Sequence, residues 1–326
     1  MKIFCIILAA IMSIVLGGGC GVSGEYKNRL GEEIVILRQK QQSLVDFGEK
    51  FELDGKSVNE NDYKTIKKWI KKNQKSPNMD KALFRQGRAF FDRKLYYQSF
   101  ESFEKLLDEH AASELFEAAL YKETEIACLF LMGKKRKVFG FIPSSARTEG
   151  VTILEQTAQR WPGSELAAKA LMIKADYHND KRHLLEALYG YQAVIDECKN
   201  SRRSSPGIAA LYEQAMLRCA EVTHKLFLGP EYDGTCLADA LIRYQQYQSS
   251  FPEKARQADV NSQTKLISDQ QAQKELEIAD YYQRTHRNAA AKLYWKMIRQ
   301  QWSGTEWAQE AQENIEEGIQ DSGFGK

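Results

Sequence analysis

The residues closest to a metal-binding or catalytic motif in this sequence are a histidine and a glutamate three positions apart, His183 and Glu186. At that spacing both side chains share one face of a helix, and imidazole and carboxylate are common zinc ligands. No third histidine or cysteine is placed to join them, and the sequence has no nucleophile elbow, Walker loop or HExxH motif. We therefore expect no catalytic residue, no metal site, no cofactor and no small-molecule substrate.

Four cysteines lie beyond the first twenty residues: Cys128, Cys198, Cys219 and Cys236. A disulfide between Cys219 and Cys236 would close a short loop, and an oxidising compartment would permit it. The alternative is that Cys128 and Cys219, which fall in helical patterns, are small buried apolar residues. Spacing does not fix which cysteines pair, so both interpretations stand.

The most unusual loop of the chain contains four consecutive cations, Lys134, Lys135, Arg136 and Lys137. Two phenylalanines follow within residues 138–143. Four cations beside two apolar rings would suit anionic lipid headgroups or an acidic partner protein. The alternative is a solvated turn whose aromatic rings fold back onto neighbouring helices.

Composition favours a folded, all-α protein. Of the 326 residues 43% are apolar and 28% are charged, which excludes wholesale disorder. Prolines number only six, and apolar residues recur at intervals of three and four instead of alternating, so we expect helices and no substantial sheet. A net charge of +2 without a recognisable nucleic-acid-binding motif argues against a nucleic-acid partner.

The amino terminus is organised like a secretory signal. A basic second residue precedes an uncharged apolar run over residues 3–16, which is too short to span a bilayer comfortably. Small residues then lead to Cys20, and this pattern resembles the lipobox of bacterial lipoproteins, whose cysteine is lipidated. The resemblance implies a signal peptide over residues 1–19 and a lipid on Cys20. An ordinary signal peptide cleaved near Gly24 is the alternative.

Residues 20–58 are expected to form a tether and an amino-terminal helix. The tether would extend to Gly31 and hold the folded array away from a membrane. The segment from Glu25 to Lys50 is helix-like, with an apolar stripe formed by Ile34, Leu37, Leu44 and Phe47. Residues 52–61 are polar, contain a glycine and are expected to form a loop.

The rest of the chain repeats one pattern, in which a small residue is followed four positions later by a large one. The small residues are Thr65, Ser99, Gly150, Ala187, Ala240 and Ala291. The large residues are Trp69, Phe103, Leu154, Tyr191, Tyr244 and Trp295. A further small residue is expected on each partner helix, at Gly87, Thr124, Ala175, Cys219 and Ala279. Such positions let paired helices pack closely, because a small residue leaves a socket for a large one.

This pattern resembles the tetratricopeptide repeat, a helix-turn-helix unit of 34 residues. The resemblance implies a solenoid of about five to six units over residues 59–320. Two units carry extra residues, near 133–146 and 228–237, which in a solenoid become loops on one face. Neighbouring units supply the core that one unit lacks, and the stack curves around a groove.

The first helix of each unit is expected to line that groove. Counted from the small residues, the inward positions are Phe84, Arg88, Phe91, Tyr121, Glu125, Met172, Asp176 and Asn179. Aromatic and arginine side chains dominate the binding energy of many protein interfaces. We predict that the groove binds an extended peptide, with Phe84, Phe91 and Tyr121 as anchors. Arg88 would pair with a carboxylate of that peptide.

Several of these features together resemble BamD and related outer-membrane assembly lipoproteins. They are the lipobox-like cysteine, the repeats, the unit ends Trp161-Pro162 and Phe251-Pro252, and the motif Gly-Pro-Glu-Tyr-Asp over residues 229–233. The resemblance implies a lipid-anchored scaffold, not an enzyme, on the periplasmic face of the outer membrane. It would bind a POTRA-bearing BamA-like protein and unfolded outer-membrane proteins during β-barrel assembly and insertion. A tetratricopeptide adaptor for cell-envelope or cell-division proteins is the alternative.

Overall fold

The computed structural model describes residues 22–45, 50–53, 56–59, 62–138, 142–199 and 205–323. The predicted signal segment, Cys20, Phe139 and Phe141 therefore lie outside the described residues. Side chains are described throughout except at residues 50–53, 56–59, 137–138, 142–143 and 318–323.

Helices form nearly all the regular structure of the described residues, as predicted, and the chain divides into two compact units, residues 1–182 and 183–326. Unit 1 contains helices α1 (Gly24–Leu44), α2 (Tyr63–Lys72), α3 (Met79–Asp92), α4 (Tyr96–Glu109), α5 (Phe116–Leu131), α6 (Arg147–Arg160) and α7 (Glu165–Asp180). Unit 2 contains α8 (Leu184–Cys198), α9 (Pro206–Lys225), α10 (Thr235–Ser250), α11 (Pro252–Gln257), α12 (Val260–Arg284), α13 (Asn288–Gln301) and α14 (Glu306–Gly323). From α2 onward in unit 1, and throughout unit 2, helices adjacent in sequence pack against each other.

Helix boundaries follow local sequence signals. Ser23 and Ser164 begin α1 and α7, and each hydroxyl accepts a hydrogen bond from the backbone N–H three residues later, at 3.1 and 3.0 Å. Pro206 and Pro252 stand in the first turns of α9 and α11, where the missing N–H of proline has no helical partner to lose. The sequence also predicts a helical run from Glu165 to about His178 and a second helix from Leu184. Both starts agree with α7 and α8, and the Ser164 cap explains the first.

Three connections between helices share one backbone geometry. Lys94, Arg182 and His286 are left-handed, with φ of 59°, 61° and 57°. Each stands two residues after one helix ends and two before the next begins. Each also lies seven residues after one small residue of the predicted pattern and five before another. Since this conformation costs a non-glycine residue roughly 1 kcal/mol, its recurrence at one place marks a repeated helix-turn-helix unit.

The small and large residues of the predicted pattern are buried in five of the six segments. The buried residues are Ser99, Gly150, Ala187, Ala240 and Ala291 with Phe103, Leu154, Tyr191, Tyr244 and Trp295. In the remaining segment Thr65 is exposed and Trp69 is half-buried. Helix α2 is preceded by a hairpin and not by a partner helix, so it does not complete a unit.

The socket at Gly87 shows how closely the helices approach. A Cβ atom at this position would lie 2.7 Å from the ring of Phe103 on the neighbouring helix. At Gly150 a Cβ atom would lie 3.0 Å from the carbonyl oxygen of Ala127. Both distances are shorter than ordinary carbon contacts, so any larger residue must push the helices apart.

Helix α1 corrects the prediction of a tether up to Gly31. The helix begins at Gly24, and Tyr26 and Leu30 are each only 1% exposed in the core of unit 1. The buried stripe continues through Ile34 and Leu37 as predicted, but Leu44 is exposed and Phe47 lies outside the described residues. The apolar spacing starts at Tyr26, two turns before the predicted first residue Ile34, so the first half of the segment is buried too.

The expected loops are also more regular than predicted. Strands β1 (Lys50–Leu53) and β2 (Lys56–Asn59) pair antiparallel within the region predicted as a polar loop. Strands β3 (Lys135–Val138) and β4 (Ile142–Ser145) form a second antiparallel hairpin within the first predicted insertion. The second insertion is shorter than expected, since α10 already begins at Thr235. Hairpins this short lack the long alternating pattern by which sequence reveals strands.

Unit 2 has two apolar clusters of its own. One gathers Leu237, Tyr244, Tyr247 and Ile267 from α10 and α12. The other gathers Leu276, Trp295, Ile298 and Ile315 from α12, α13 and α14. Helix α12 contributes to both clusters, because its 25 residues are long enough to pass from one to the other.

Two glycine substitutions should have effects of opposite sign on stability. Gly87→Ala should destabilise the protein, since the new methyl meets the buried Phe103 ring and the clash outweighs the gain in helix propensity. Gly31→Ala should stabilise it by about 0.5–1 kcal/mol, because Gly31 lies inside α1 with nothing within 4 Å of the added Cβ. Urea denaturation measures both. Stabilisation by both changes would show that α3 and α4 are not closely packed.

Candidate functional site: the face covered by helix α1

Helix α1 lies against α5 and α7, on the side where the sequence analysis placed the groove. The Ser23 backbone N–H donates to Asp180 Oδ2 at 3.0 Å, and the Tyr26 hydroxyl donates to the Ile173 carbonyl at 3.0 Å. Further along, Lys169 Nζ donates to Glu33 Oε2 at 2.7 Å. Residue numbers rise on α1 as they fall on α7, so the two helices run antiparallel.

Two arginines of α1 bind two predicted groove residues. Arg29 pairs with Asp176 on α7 at 3.5 Å, and Arg38 pairs with Glu125 on α5. Glu125 is 1% exposed and also accepts a hydrogen bond from Lys122 Nζ at 2.8 Å. Asp176 and Glu125 hold equivalent positions, one residue after the small residue of each first helix. Both predicted groove residues therefore contact a helix of the same chain.

The other predicted groove residues have different environments. Phe84 is fully buried, with its ring 5.4 Å from that of Phe103, so its predicted role as a peptide anchor is wrong. The packing of α3 against α4 needs that ring in the core. Met172 is buried as well, whereas Asn179 is half-buried near the amino-terminal end of α1. Hence Glu125, Asp176 and Met172 belong to the interior or to contacts with α1.

Arg88, Phe91 and Tyr121 are half-buried and remain accessible in part. The ring of Phe91 packs edge-on against Tyr96 at 5.3 Å, and Lys122 Nζ stands 4.4 Å from the ring centre. Burial, then the charges of Glu117 and Glu165, raise the pKa of Tyr121 to about 12, so this phenol stays neutral. Phe91 thus adjoins the Lys122–Glu125–Arg38 network at the edge of the surface that α1 covers.

The basic loop is partly committed to contacts inside unit 1. Arg136 Nη2 pairs with Glu149 Oε1 at 2.8 Å, and its guanidinium lies 5.5 Å from the centre of the Tyr97 ring. Lys134 and Lys135 are exposed, and the Lys137 side chain is outside the described set. The structure therefore leaves two of the four cations free in the described part of this loop.

A cluster of charged residues lies between α4, α5 and α6 and was not predicted from the sequence. Arg160 donates to both oxygens of Glu104, at 2.8 and 2.9 Å, and to Asp108 Oδ1 at 2.5 Å. Glu123 is fully buried, 3.5 Å from Arg160, and neither of its carboxylate oxygens has a hydrogen-bond partner. Burial and then the charge of Glu104 hold the pKa of the Glu123 carboxyl well above its usual range, against the opposing charge of Arg160. No sequence motif marks the cluster, because its members come from three helices.

The remaining candidates contain no assembled reactive site among the residues described. His183 caps α8, and no group of three or more histidine, cysteine or acidic side chains in the described ranges is arranged to hold a metal ion. Cys128, Cys198, Cys219 and Cys236 are all free, so the suggested bridge from Cys219 to Cys236 is not formed. None of the described helices is long and apolar enough to cross a membrane.

Glu125→Ala should destabilise unit 1 by about 3 kcal/mol, because it leaves the buried Lys122 ammonium without its partner. It should also speed amide hydrogen exchange in α1, since Arg38 loses its contact. Glu155→Ala is the matched control: Glu155 pairs with Lys174 but is 43% exposed, so the change should cost less than about 1 kcal/mol. Unchanged exchange in α1 would show that Glu125 does not hold that helix.

Glu123→Gln should flatten the dependence of stability on pH. The raised pKa means that the folded protein retains a proton which the unfolded chain has released, so stability falls as pH rises above the usual glutamate range. The amide imitates the protonated carboxyl and removes this dependence. Denaturation at several pH values should show that the free energy of unfolding of the variant, relative to that of the parent, increases as the pH rises toward neutral. Parallel pH profiles would mean that Glu123 ionises freely in the folded state.

Comparisons with known proteins add little to this geometry. Neither a protein-family model nor a curated protein sequence matches the chain. Among solved structures, Bacillus thuringiensis PlcR in complex with the peptide PapR7 and DNA is similar at 16% identity, over 72% of this chain and 74% of the PlcR chain. The TM-score of 0.30 is too low to show a shared architecture or a shared ligand.

Proposed function

We propose that this protein is a helical-repeat scaffold that binds segments of partner proteins on the face of its first helices. The observation that carries the proposal is the pair of contacts from α1 to Glu125 and Asp176. The two acids hold equivalent positions in successive helix pairs, and each binds one of two arginines nine residues apart on one helix. A surface whose repeated positions already hold an amphipathic helix has the shape and charge to hold another segment.

We propose that the helix-turn-helix units are tetratricopeptide repeats. Three features of the described chain support that assignment. The predicted small and large residues are buried in five of six segments, the same left-handed turn recurs at three connections, and a glycine accommodates Phe103 at the closest approach. A repeat of this kind presents its first helices on one side, which is the side that α1 covers in unit 1.

The partner's segment would bind beside α1 and not in its place. Tyr26, Leu30 and Leu37 make α1 part of the core, so removing it would expose buried apolar surface. The row of first helices continues on α3, where Arg88 and Phe91 are half-buried. An arginine and an aromatic ring suit a segment that carries a carboxylate and an apolar side chain.

The cellular role follows from the resemblance to BamD-like lipoproteins. We propose a lipid on Cys20, a location on the periplasmic face of the outer membrane, and partners among the proteins that assemble β-barrels. The organisation of the amino-terminal sequence and the helical repeats support this role. The contacts of α1 do not depend on it, so the scaffold proposal stands independently.

Site-specific photo-crosslinking in cells tests the proposal. A photoreactive residue at position 88 should capture a specific protein, whereas the same residue at the exposed Thr152 on the outer helix α6 should not. With the captured protein purified, the double change Arg88→Ala and Phe91→Ala should weaken binding by about 2 kcal/mol or more. The Thr152→Ala variant should bind as the parent does.

Two measurements distinguish the proposed cellular role from the proposed binding surface. Capture of a β-barrel assembly protein would support the cellular role, and capture of a different envelope protein would refute that role while keeping the scaffold. Equal capture from positions 88 and 152, or equal affinity of the double variant and the parent, would contradict a binding surface on α3. Circular dichroism of each variant checks that helix content is unchanged.

A further inference from the structure

Helix α2 carries a concentration of positive charge that no ion pair in the described chain neutralises. Residues 63–75 contain six lysines and no acidic residue. The lysines are Lys64, Lys67, Lys68, Lys71, Lys72 and Lys75, and all six are exposed. None of them forms an ion pair with a carboxylate among the described residues. The nearest acidic residues in sequence precede the helix, ending with its cap, Asp62.

Many other cations of unit 1 do pair with carboxylates. They include Arg29, Arg38, Lys105, Lys122, Arg136, Arg160, Lys169 and Lys174. Five of the six lysines lie on α2, a helix about 15 Å long, and Lys75 follows three residues after its end. Holding these unpaired charges so close together costs repulsion between like charges. A polyanionic surface would relieve that repulsion.

The apolar side of α2 already packs into the core of unit 1. Ile66 and Ile70 are buried in the core of unit 1, on the side of the helix opposite the lysines. The helix therefore cannot insert an apolar face into a bilayer, and it offers a partner its charged face. Trp69 stands at the margin, half-buried against the core.

A pocket of about 270 Å³ adjoins this face, between α2, α3 and α4. Polar residues around it include Lys67, Lys71, Lys105, Gln86, Ser102 and Glu101. Lys105 also lies 3.8 Å from Glu109, and Glu101 is exposed at the rim. The pocket is smaller than sites for drug-sized ligands, about 300–1,000 Å³, and three ammonium groups around it suit a compact phosphate-bearing group.

We propose that this lysine face docks on a membrane containing anionic phospholipid, with a headgroup phosphate in the pocket. A membrane fits better than a nucleic acid, because α2 has no arginine for bidentate phosphate or base contacts and its aromatic rings are held at the core. Lysines act as point charges that a fluid anionic surface can meet at any spacing. This inference goes beyond the proposed function, since its lysines lie on α2 and α4 and not on the row of first helices, although Gln86 of α3 also lines the pocket.

Vesicle co-sedimentation of the full chain tests this surface. Every protein carries Cys20→Ser, so that no acyl chain contributes to binding. The parent should bind vesicles of phosphatidylcholine mixed with phosphatidylglycerol, bind pure phosphatidylcholine much more weakly, and dissociate at high salt. The triple change Lys67→Gln, Lys71→Gln and Lys105→Gln should weaken binding to the mixed vesicles roughly tenfold to a hundredfold.

The control removes the same charge from unit 2. Lys254→Gln, Lys265→Gln and Lys296→Gln replace three exposed lysines, and this variant should lose less than about twofold. If both triple variants lost vesicle binding equally, net charge alone would explain the binding, and the proposed face would be wrong. Displacement of the parent from vesicles by inorganic phosphate at low concentration would assign the pocket to a free anion. Tighter binding to a DNA duplex than to vesicles, lost in the same triple variant, would assign the face to nucleic acid.

Discussion

The close approach of neighbouring helices is the constraint on which the rest of this structure depends. At Gly87 and Gly150 an added Cβ atom would lie closer to the neighbouring helix than ordinary contacts allow, and alanine, serine, threonine or cysteine fills the equivalent buried places elsewhere. The large partners at these contacts are buried only because the small residues admit them. Each helix pair then has apolar surface left over, which the next pair covers. The same close packing of helices therefore determines both the stability of unit 1 and the arrangement of the face that α1 covers.

Helix α1 shows what such a face can hold. Its apolar stripe completes the core of unit 1, while Arg29 and Arg38 pair with acids that recur at one position of the repeat. Burying Glu125 is tolerable because two cations and a helix cover it, whereas an unpaired carboxylate there would be costly. Helix α1 is part of the folded core, whereas Arg88 and Phe91 on the α3 surface are still partly exposed.

Charge is distributed unevenly over unit 1. Between α4, α5 and α6 three carboxylates share one guanidinium, and burial and the charge of Glu104 hold the pKa of the Glu123 carboxyl well above its usual range. On α2 and at Lys75, six lysines have no carboxylate partner within the described residues. The first arrangement is internal and affects stability, whereas the second faces solvent and affects what the protein can approach. The proposed protein-binding row and the proposed docking face would then use different residues of unit 1.

The sequence by itself determined the all-α class, the helix boundaries near residues 165 and 184, and the positions of small and large packing residues, because these depend on local spacing and capping. It failed for Phe84, for the segment up to Gly31 and for the short hairpins. A helical residue near a groove can face either the groove or the neighbouring helix, and spacing cannot tell which. Only the tertiary structure decided that α1 covers this face and that Glu123, Glu104 and Arg160 meet, since these contacts join helices distant in sequence.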